Sequence, residues 1–357
     1  MYLKSRYILQ QKGNDMKGKK ILVLGGTGAM GQYLVPALAE RGAAVTVSYI
    51  NDVVKPPPVP GVKYVEGNAK DVSFLRELLK EGFDAIVDFL VYPTRDLIHC
   101  LPFLTENTDH YIYLSTYRIY DNKEIPIKET SPRLLDATED VFLKNSDDYS
   151  IYKARGENIL HALPRKNWTI IRPAITYSLF RNQLVTLEAA FTVGRAFQNK
   201  KTALPLSAKN IQGTMTWAGD VAKMIKGLLF NENAIGEAYT VATAEHHSWG
   251  EIADYYKDIC GLESVWVDDE DYIDMTIKIM GYDPFYERLA RYQLIYDRLF
   301  DRIIDNSKIL GATGMKQEEL MPLYKGLELE INRCPKDHDF HWDTTPMDEL
   351  LTRLGYQ

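Results

Sequence analysis

Lys20-Ile21-Leu22-Val23-Leu24-Gly25-Gly26-Thr27-Gly28-Ala29-Met30-Gly31 decides the fold of this chain. Ile21 to Leu24 is a four-residue apolar run behind a basic edge, the pattern of a strand buried on both faces. Gly25, Gly28 and Gly31 follow at GxxGxxG spacing. An alanine-rich helical pattern then runs from Gln32 to Arg41 and stops at Gly42. Strand, glycine turn and helix in this order make a dinucleotide cradle. Gly25 allows the tight turn, Gly28 lets the backbone approach a pyrophosphate, and Gly31 permits close helix packing, with the phosphates at the helix N-terminus. Thr27, Ala29 and Met30 belong to the same binding loop.

The pattern continues outward in both kinds of element. Ala44 to Ser48 reads as the second strand and Val62 to Gly67 as the third, then Val72 to Glu81 as a helix and Ala85 to Leu90 as the fourth strand. Such alternation predicts an α/β fold, a Rossmann-type doubly wound parallel sheet. Further on stands Tyr149-Ser150-Ile151-Tyr152-Lys153. Tyrosine and lysine four apart share one face of a helix, so the ammonium is expected to lower the phenol's pKa from its usual value near 10. That would make an acid/base usable at neutral pH.

The glycine spacing, the Tyr149/Lys153 pair, the segment between them and three segments further on together resemble the extended short-chain dehydrogenase/reductase superfamily, in its NAD-dependent epimerase/dehydratase branch. Tyr113-Leu114-Ser115-Thr116-Tyr117-Arg118-Ile119-Tyr120-Asp121 is similar to that branch's strand-end signature, with Thr116 at the catalytic hydroxyl and Asp121 in place of a glycine. Thr169-Ile170-Ile171-Arg172-Pro173 resembles its next strand, Trp217 to Ala222 its His-Val-x-Asp-Val-Ala segment without the histidine, and Asp305 to Gly311 its late Asp-x-Ser-Lys stretch. The resemblance implies that Tyr149 exchanges a proton with the substrate while Lys153 holds the nicotinamide ribose and Thr116 bonds the reacting oxygen. It also implies cofactor contacts from Tyr49, Asn68, Phe89, Leu90, Val91, Ser115, Arg172 and Pro173. Residues 18–176, with 217–245 returning to them, would form the cofactor-binding domain. Residues 177–216 and 246–357 would form a smaller substrate domain.

Cofactor choice turns on the end of the second strand, where a carboxylate favours NAD and an arginine NADP. Ser48-Tyr49-Ile50-Asn51-Asp52 puts Tyr49 at that place, Asp52 three residues late and Lys55 as the nearest base. With no phosphate clamp in view, NAD is expected and NADP is not excluded. The resemblance makes a nucleotide sugar the expected substrate, but the arginine that usually pairs with its pyrophosphate falls on Gly213. Arg181, Arg195, Arg298 or Arg302 could replace it, though each reads first as a solvated helix residue. Dehydratases of the branch carry an acidic pair where this chain has Tyr117 and Arg118, which leaves epimerase or reductase.

At 357 residues and 45% hydrophobic, the chain can fill a sizeable core. No apolar run approaches the roughly 18 residues of a membrane span, and a net charge of −7 argues against nucleic acid as the main partner. Three separated cysteines, Cys100, Cys260 and Cys334, form neither a disulfide framework nor a zinc motif. A reducing cytoplasm is the expected compartment, and a homodimer remains open. Residues 1–17 make a poor signal peptide and read as a dispensable extension or an upstream start, while Lys55 to Pro60 reads as a stiff connector. Asp337 to Asp343, with two histidines, reads as a solvated or packing tail rather than a metal site, His246 and His247 as caps of the next helix, and the tyrosines from 255 to 296 as substrate-domain core and rim. The competing reading is a non-catalytic family relative that binds a dinucleotide or RNA, or regulates. Retention of the Tyr149/Lys153 pair and the acidic charge weigh against it.

Overall fold

Residues 16–50, 59–281 and 284–356 are described by the computed structural model. From the N-terminal side come β1 (Lys20–Leu24), α1 (Gly31–Ala39), β2 (Ala44–Tyr49), β3 (Val62–Glu66), α2 (Val72–Leu79), β4 (Phe83–Asp88), α3 (Thr94–Glu106) and β5 (Thr108–Leu114). Two short helices, α4 (Leu134–Ala137) and α5 (Val141–Asn145), lead into α6 (Tyr149–Ala162) and β6 (Trp168–Ile171). Then follow β7 (Ile175–Tyr177), α7 (Val193–Phe197), β8 (Thr202–Pro205), β9 (Gln212–Gly213), β10 (Met215–Trp217), α8 (Ala218–Leu228) and β11 (Ala238–Tyr239).

Seven strands form one sheet in the order β11, β6, β5, β4, β1, β2, β3, with every neighbouring pair parallel. The order reverses at β1, which pairs with β2 on one side and β4 on the other. A doubly wound sheet opens its ligand crevice at such a reversal, beyond the strands' C-terminal ends. The expected strands are present within a residue or two. The return of the chain near residue 238 is a two-residue edge strand on β6.

Ile21 to Leu24 are fully buried because both faces of β1 are covered. Leu34 and Leu38 of α1 pack with Val221 and Ile225 of α8 on one face. Leu75 of α2, Leu97 and Leu101 of α3 and Leu160 of α6 close the other. Met16, inside the segment read as an extension, is buried in the α1-side core, and its carbonyl accepts from the Lys19 N–H at 3.0 Å. Residues 1–15 lie outside the described residues, as do Asp52, Lys55 and the prolines at 56–58.

A separate core gathers Tyr177, Trp249, Tyr256, Tyr272 and Leu327 beyond the sheet. There β8 pairs in parallel with Ser264–Val267. Tyr256 and Tyr272 are buried, as read from the tyrosine-rich stretch, whereas the histidines are not the helix cap expected of them. The cap of Trp249–Cys260 is Ser248, in a reciprocal capping box with Glu251. His247 instead faces Glu245 at 2.9 Å and His246 faces Gln212 at 2.9 Å. Among the described residues no helix is long and apolar enough to cross a membrane.

Candidate functional site

The three glycines of the first turn do different things. Gly25 has φ +67°, a left-handed backbone that favours glycine, and its N–H donates to the Ser48 carbonyl at 3.2 Å. A Cβ on Gly31 would lie 2.1 Å from the Gly26 carbonyl oxygen, so α1 can pack this closely only without a side chain there. Around Gly28 the nearest atom to such a Cβ is the Gly25 carbonyl oxygen, at 3.8 Å. Gly25 and Gly31 shape the turn, and Gly28 faces open space above it. The N-cap of α1, Met30, contributes no side-chain cap, which leaves the first-turn N–H groups without that partner.

A cavity of about 380 Å³ runs from this turn to the ends of β5 and β6. Thr116, Arg118 and Tyr149 line its far end, and Phe89, Val91 and Pro173 form part of its wall. Asp148 caps α6 by accepting from the Ser150 N–H at 2.9 Å, and this fixes Tyr149 as the first helical residue. Thr116 caps the turn Tyr117–Ile119, with its hydroxyl oxygen accepting from the Arg118 N–H at 3.2 Å. Its hydroxyl is near enough to the Tyr149 phenol to favour the phenolate. Thus the two expected catalytic hydroxyls line one cavity.

Burial raises the Tyr149 pKa above its ordinary value, opposed by Arg118, Arg181 and the Thr116 hydroxyl. The Lys153 ammonium, expected from spacing to lower it, bonds to backbone carbonyls. Its Nζ donates to the Leu114 carbonyl at 2.5 Å and the Leu90 carbonyl at 3.4 Å, and stays 5.8 Å from the Tyr149 ring centroid. Sharing a helix face fixes where a lysine starts, not where its four-carbon stem ends. Burial also brings the Lys153 pKa down to about 8, against the attraction of Asp88 and Glu157.

Ser115 and Arg172, expected at the cofactor, lie in a buried network beneath the cavity instead. Arg172 makes a two-pronged pair with Glu157, both bonds 2.8 Å, and donates to the Tyr120 hydroxyl and the Glu129 carbonyl. Ser115 donates to Glu157 at 2.6 Å. These bonds engage every nitrogen of the Arg172 guanidinium, and four of its five N–H donors. Thr27, Leu90, Tyr49 and Asn68 also stay out of the cavity lining. The Leu90 side chain packs on Gly25, the Tyr49 hydroxyl donates to Glu66 at 3.4 Å, and the Asn68 side-chain oxygen accepts from the Lys70 N–H at 3.0 Å.

A model of the NAD dependent epimerase/dehydratase family matches residues 21–242. The chain belongs to this family. Solved structures similar to this epimerase/dehydratase-family chain include an epimerase from Methanothermobacter thermautotrophicus, 16% identical, covering 89% of this chain and 92% of that one at a TM-score of 0.67. Another is UDP-glucuronic acid 4-epimerase from Bacillus cereus, solved with UDP-glucuronic acid and NAD, 16% identical, covering 88% and 98% at 0.62. A third is dTDP-glucose 4,6-dehydratase from Bacillus anthracis with NAD, 17% identical, covering 88% and 96% at 0.64. These likenesses are of fold. A curated relative, the chloroplast stem-loop binding protein of 41 kDa b from Arabidopsis thaliana, is 25% identical over 256 residues, 66% of this chain and 61% of that protein. The match therefore spans about three fifths of that relative's length.

Two features of this epimerase/dehydratase-family site escaped the sequence. Gly213, where a pyrophosphate-pairing arginine was expected, lies against the indole of Trp249: a Cβ would meet it at 2.8 Å, so any larger side chain is excluded. The candidate replacements are not solvated helix residues either. Arg195, Arg298 and Arg302 are all buried, Arg195 against Asp348 and the other two against Asp297, while Arg181 is exposed at the cavity rim. Arg118 and Arg298 line the cavity, and only the adjacency of Arg118 to Thr116 signalled this. Among the described residues no group of three or more His, Cys, Asp or Glu could hold a metal. The His338 ring stacks on Phe180.

Proposed function

We propose that the protein is an NAD-dependent epimerase or reductase acting on a sugar nucleotide or a related hydroxyl or keto substrate. The observation that supports this most is the Thr116/Tyr149 hydroxyl pair, which opens into the same cavity as the glycine turn. The turn fits a dinucleotide, because the open space over Gly28 lets a pyrophosphate approach the backbone. When bound, the nicotinamide exchanges hydride with the substrate carbon. Tyr149 gives or takes the proton of the reacting oxygen, and Thr116 donates a hydrogen bond to the same oxygen. Arg118 and Arg181 favour the phenolate form of Tyr149, and Lys153 offers its ammonium to ribose hydroxyls from behind. Residues 18–176 and 217–245 hold the cofactor in this reading, and 177–216 and 246–357 close over the substrate. The cysteines are free thiols, which suits a reducing cytoplasm.

Purified protein supplied with NAD is expected to change the stereochemistry of UDP-glucose or UDP-glucuronic acid by NMR if it is an epimerase, or to consume NADH with the corresponding keto sugar if it is a reductase. Tyr149→Phe should lose at least tenfold in kcat/KM, about 1.4 kcal/mol, with NAD affinity nearly intact by calorimetry. A variant that keeps more than a tenth of the activity removes Tyr149 from the chemistry. The name of the Arabidopsis relative favours a second reading, an RNA-binding protein. Tight, salt-resistant binding of a stem-loop RNA by a chain that binds no NAD would establish that instead.

A further inference from the structure

Asp88, the last residue of β4, is an acid with only 1% of its surface exposed. It stands opposite Leu24 of β1, next to the glycine turn, and opposite Tyr113 of β5. A carboxylate buried in such a place persists only where donors and a counter-charge answer it. The donors are plain. Oδ1 accepts the Leu90 N–H at 2.9 Å, which folds the chain after β4 into a tight turn, and Oδ2 accepts the Tyr111 hydroxyl at 2.8 Å. The Tyr92 hydroxyl is near enough to favour the anion as well. Both bonds run into the carboxylate, the pattern of an ionised acid, since a protonated one has a hydrogen to give. Burial pushes the carboxyl above its ordinary range, and these donors and Lys153 pull it back.

The counter-charge comes from α6. Lys153 spends its hydrogen bonds on two neutral carbonyls, those of Leu114 and, at 3.4 Å, Leu90, so its charge still needs compensation. Leu90 serves both groups at once: its N–H holds Asp88 and its carbonyl holds Lys153. Its neighbours on either side, Phe89 and Val91, wall the cavity. Glu157, one turn further along α6, is already answered by Arg172 at 2.8 Å and Arg133 at 3.3 Å. Lys70 repels the ammonium, and Asp88 comes before Glu157 among the groups that hold its charge against burial. Tyr92, Cys100 of α3, Tyr111 and Tyr113 of β5 and Tyr149 also face the pair, and burial raises the pKa of each, which leaves them uncharged. We infer that Asp88 is a positioning residue: through the Leu90 turn and its own charge it fixes where Lys153 ends and keeps that ammonium protonated beneath the nicotinamide ribose. The inference rests on the proposed contact of Lys153 with the ribose and needs no contact of Asp88 with the cofactor.

Asp88→Asn removes the charge but keeps an oxygen for the Leu90 N–H, so it tests the charge without undoing the turn. Asp88→Ser, whose hydroxyl can close the same turn, serves if the asparagine variant does not fold. Lys153 is followed by NMR of protein labelled at the lysine Cε, its signal identified by its absence from Lys153→Met. Wild type is expected to titrate near pH 8, and Asp88→Asn at least about one pH unit lower, because an opposite charge nearby favours the charged form. Calorimetry then reads NAD affinity between pH 6 and pH 9. Wild type and Asp88→Asn should bind alike at pH 6, whereas at pH 8 the variant should bind at least about threefold more weakly. With Lys153→Met as the background, Asp88→Asn should leave the pH dependence unchanged. A shifted Lys153 titration without the matching change in NAD affinity keeps Asp88 as the partner of Lys153 and removes the ribose contact from the proposed function. A Lys153 titration that does not move in either variant, or an effect of Asp88→Asn that persists in Lys153→Met, would overturn the inference.

Discussion

Lys153 carries a pH signature of its own. Its folded pKa of about 8 lies below the unfolded value of 10.5 because burial disfavours the charge. Below pH 8 both states are protonated and the cost of the buried charge is fully present. Between pH 8 and 10.5 the folded protein has released a proton that the unfolded chain still holds, so stability rises with pH, by up to about 1.4 kcal/mol per unit. Lys153→Met removes the charge, so its stability advantage over wild type should be largest at pH 7 and shrink through that window in urea titrations. An advantage that is constant with pH would mean Lys153 is not buried as a charge. Sequence spacing did place this lysine on the face of Tyr149, because a helix repeats locally. It could not show the Nζ reaching back to Leu114 and Leu90, nor that Arg118 would take the place at the phenol, because Asp297 and its neighbours fold in from 180 residues away.

At the scale of elements, the glycine turn separates two jobs that one motif implied together. Gly31→Ala puts a Cβ against the Gly26 backbone, so α1 must move off β1, and a loss of about 3 kcal/mol or more is expected from denaturant unfolding. Gly28→Ala meets no such obstacle. It should leave stability unchanged or slightly raised through a stiffer unfolded chain, while NAD affinity by calorimetry falls at least tenfold. If both alanines lower NAD affinity and stability in the same proportion, the division between packing and binding is wrong. The strands and this turn were legible because apolar runs and glycines act on their own neighbours. The exclusion of an arginine at 213 was not, since it depends on Trp249, on a helix that packs there only in the folded chain.

In the whole molecule the two halves rest on different evidence. The sheet half announced itself through alternation, but the other half is held by contacts between distant segments, among them the C-terminal helix Thr345–Arg353. Met347, Leu350 and Leu351 are buried in its contacts, and Asp348 holds the buried Arg195 at 2.7 Å. Ending the chain at Thr344 is therefore expected to cost at least about 4 kcal/mol, from three apolar side chains at roughly 1.5–3 kcal/mol each and a stranded cation. Chemical denaturation reads this directly, and a loss under about 1.5 kcal/mol would show the helix to be an ornament. The Glu157 network has a different consequence. Arg172 at the end of β6, Ser115 at the end of β5 and Arg133 all hold one carboxylate on α6. The helix of Tyr149 thus cannot slide against the strand of Thr116, whatever enters above them. In the proposed mechanism the proton-transfer pair sits on a fixed chassis, so a designer who grafts residues 177–216 and 246–357 from a relative need not re-aim the chemistry.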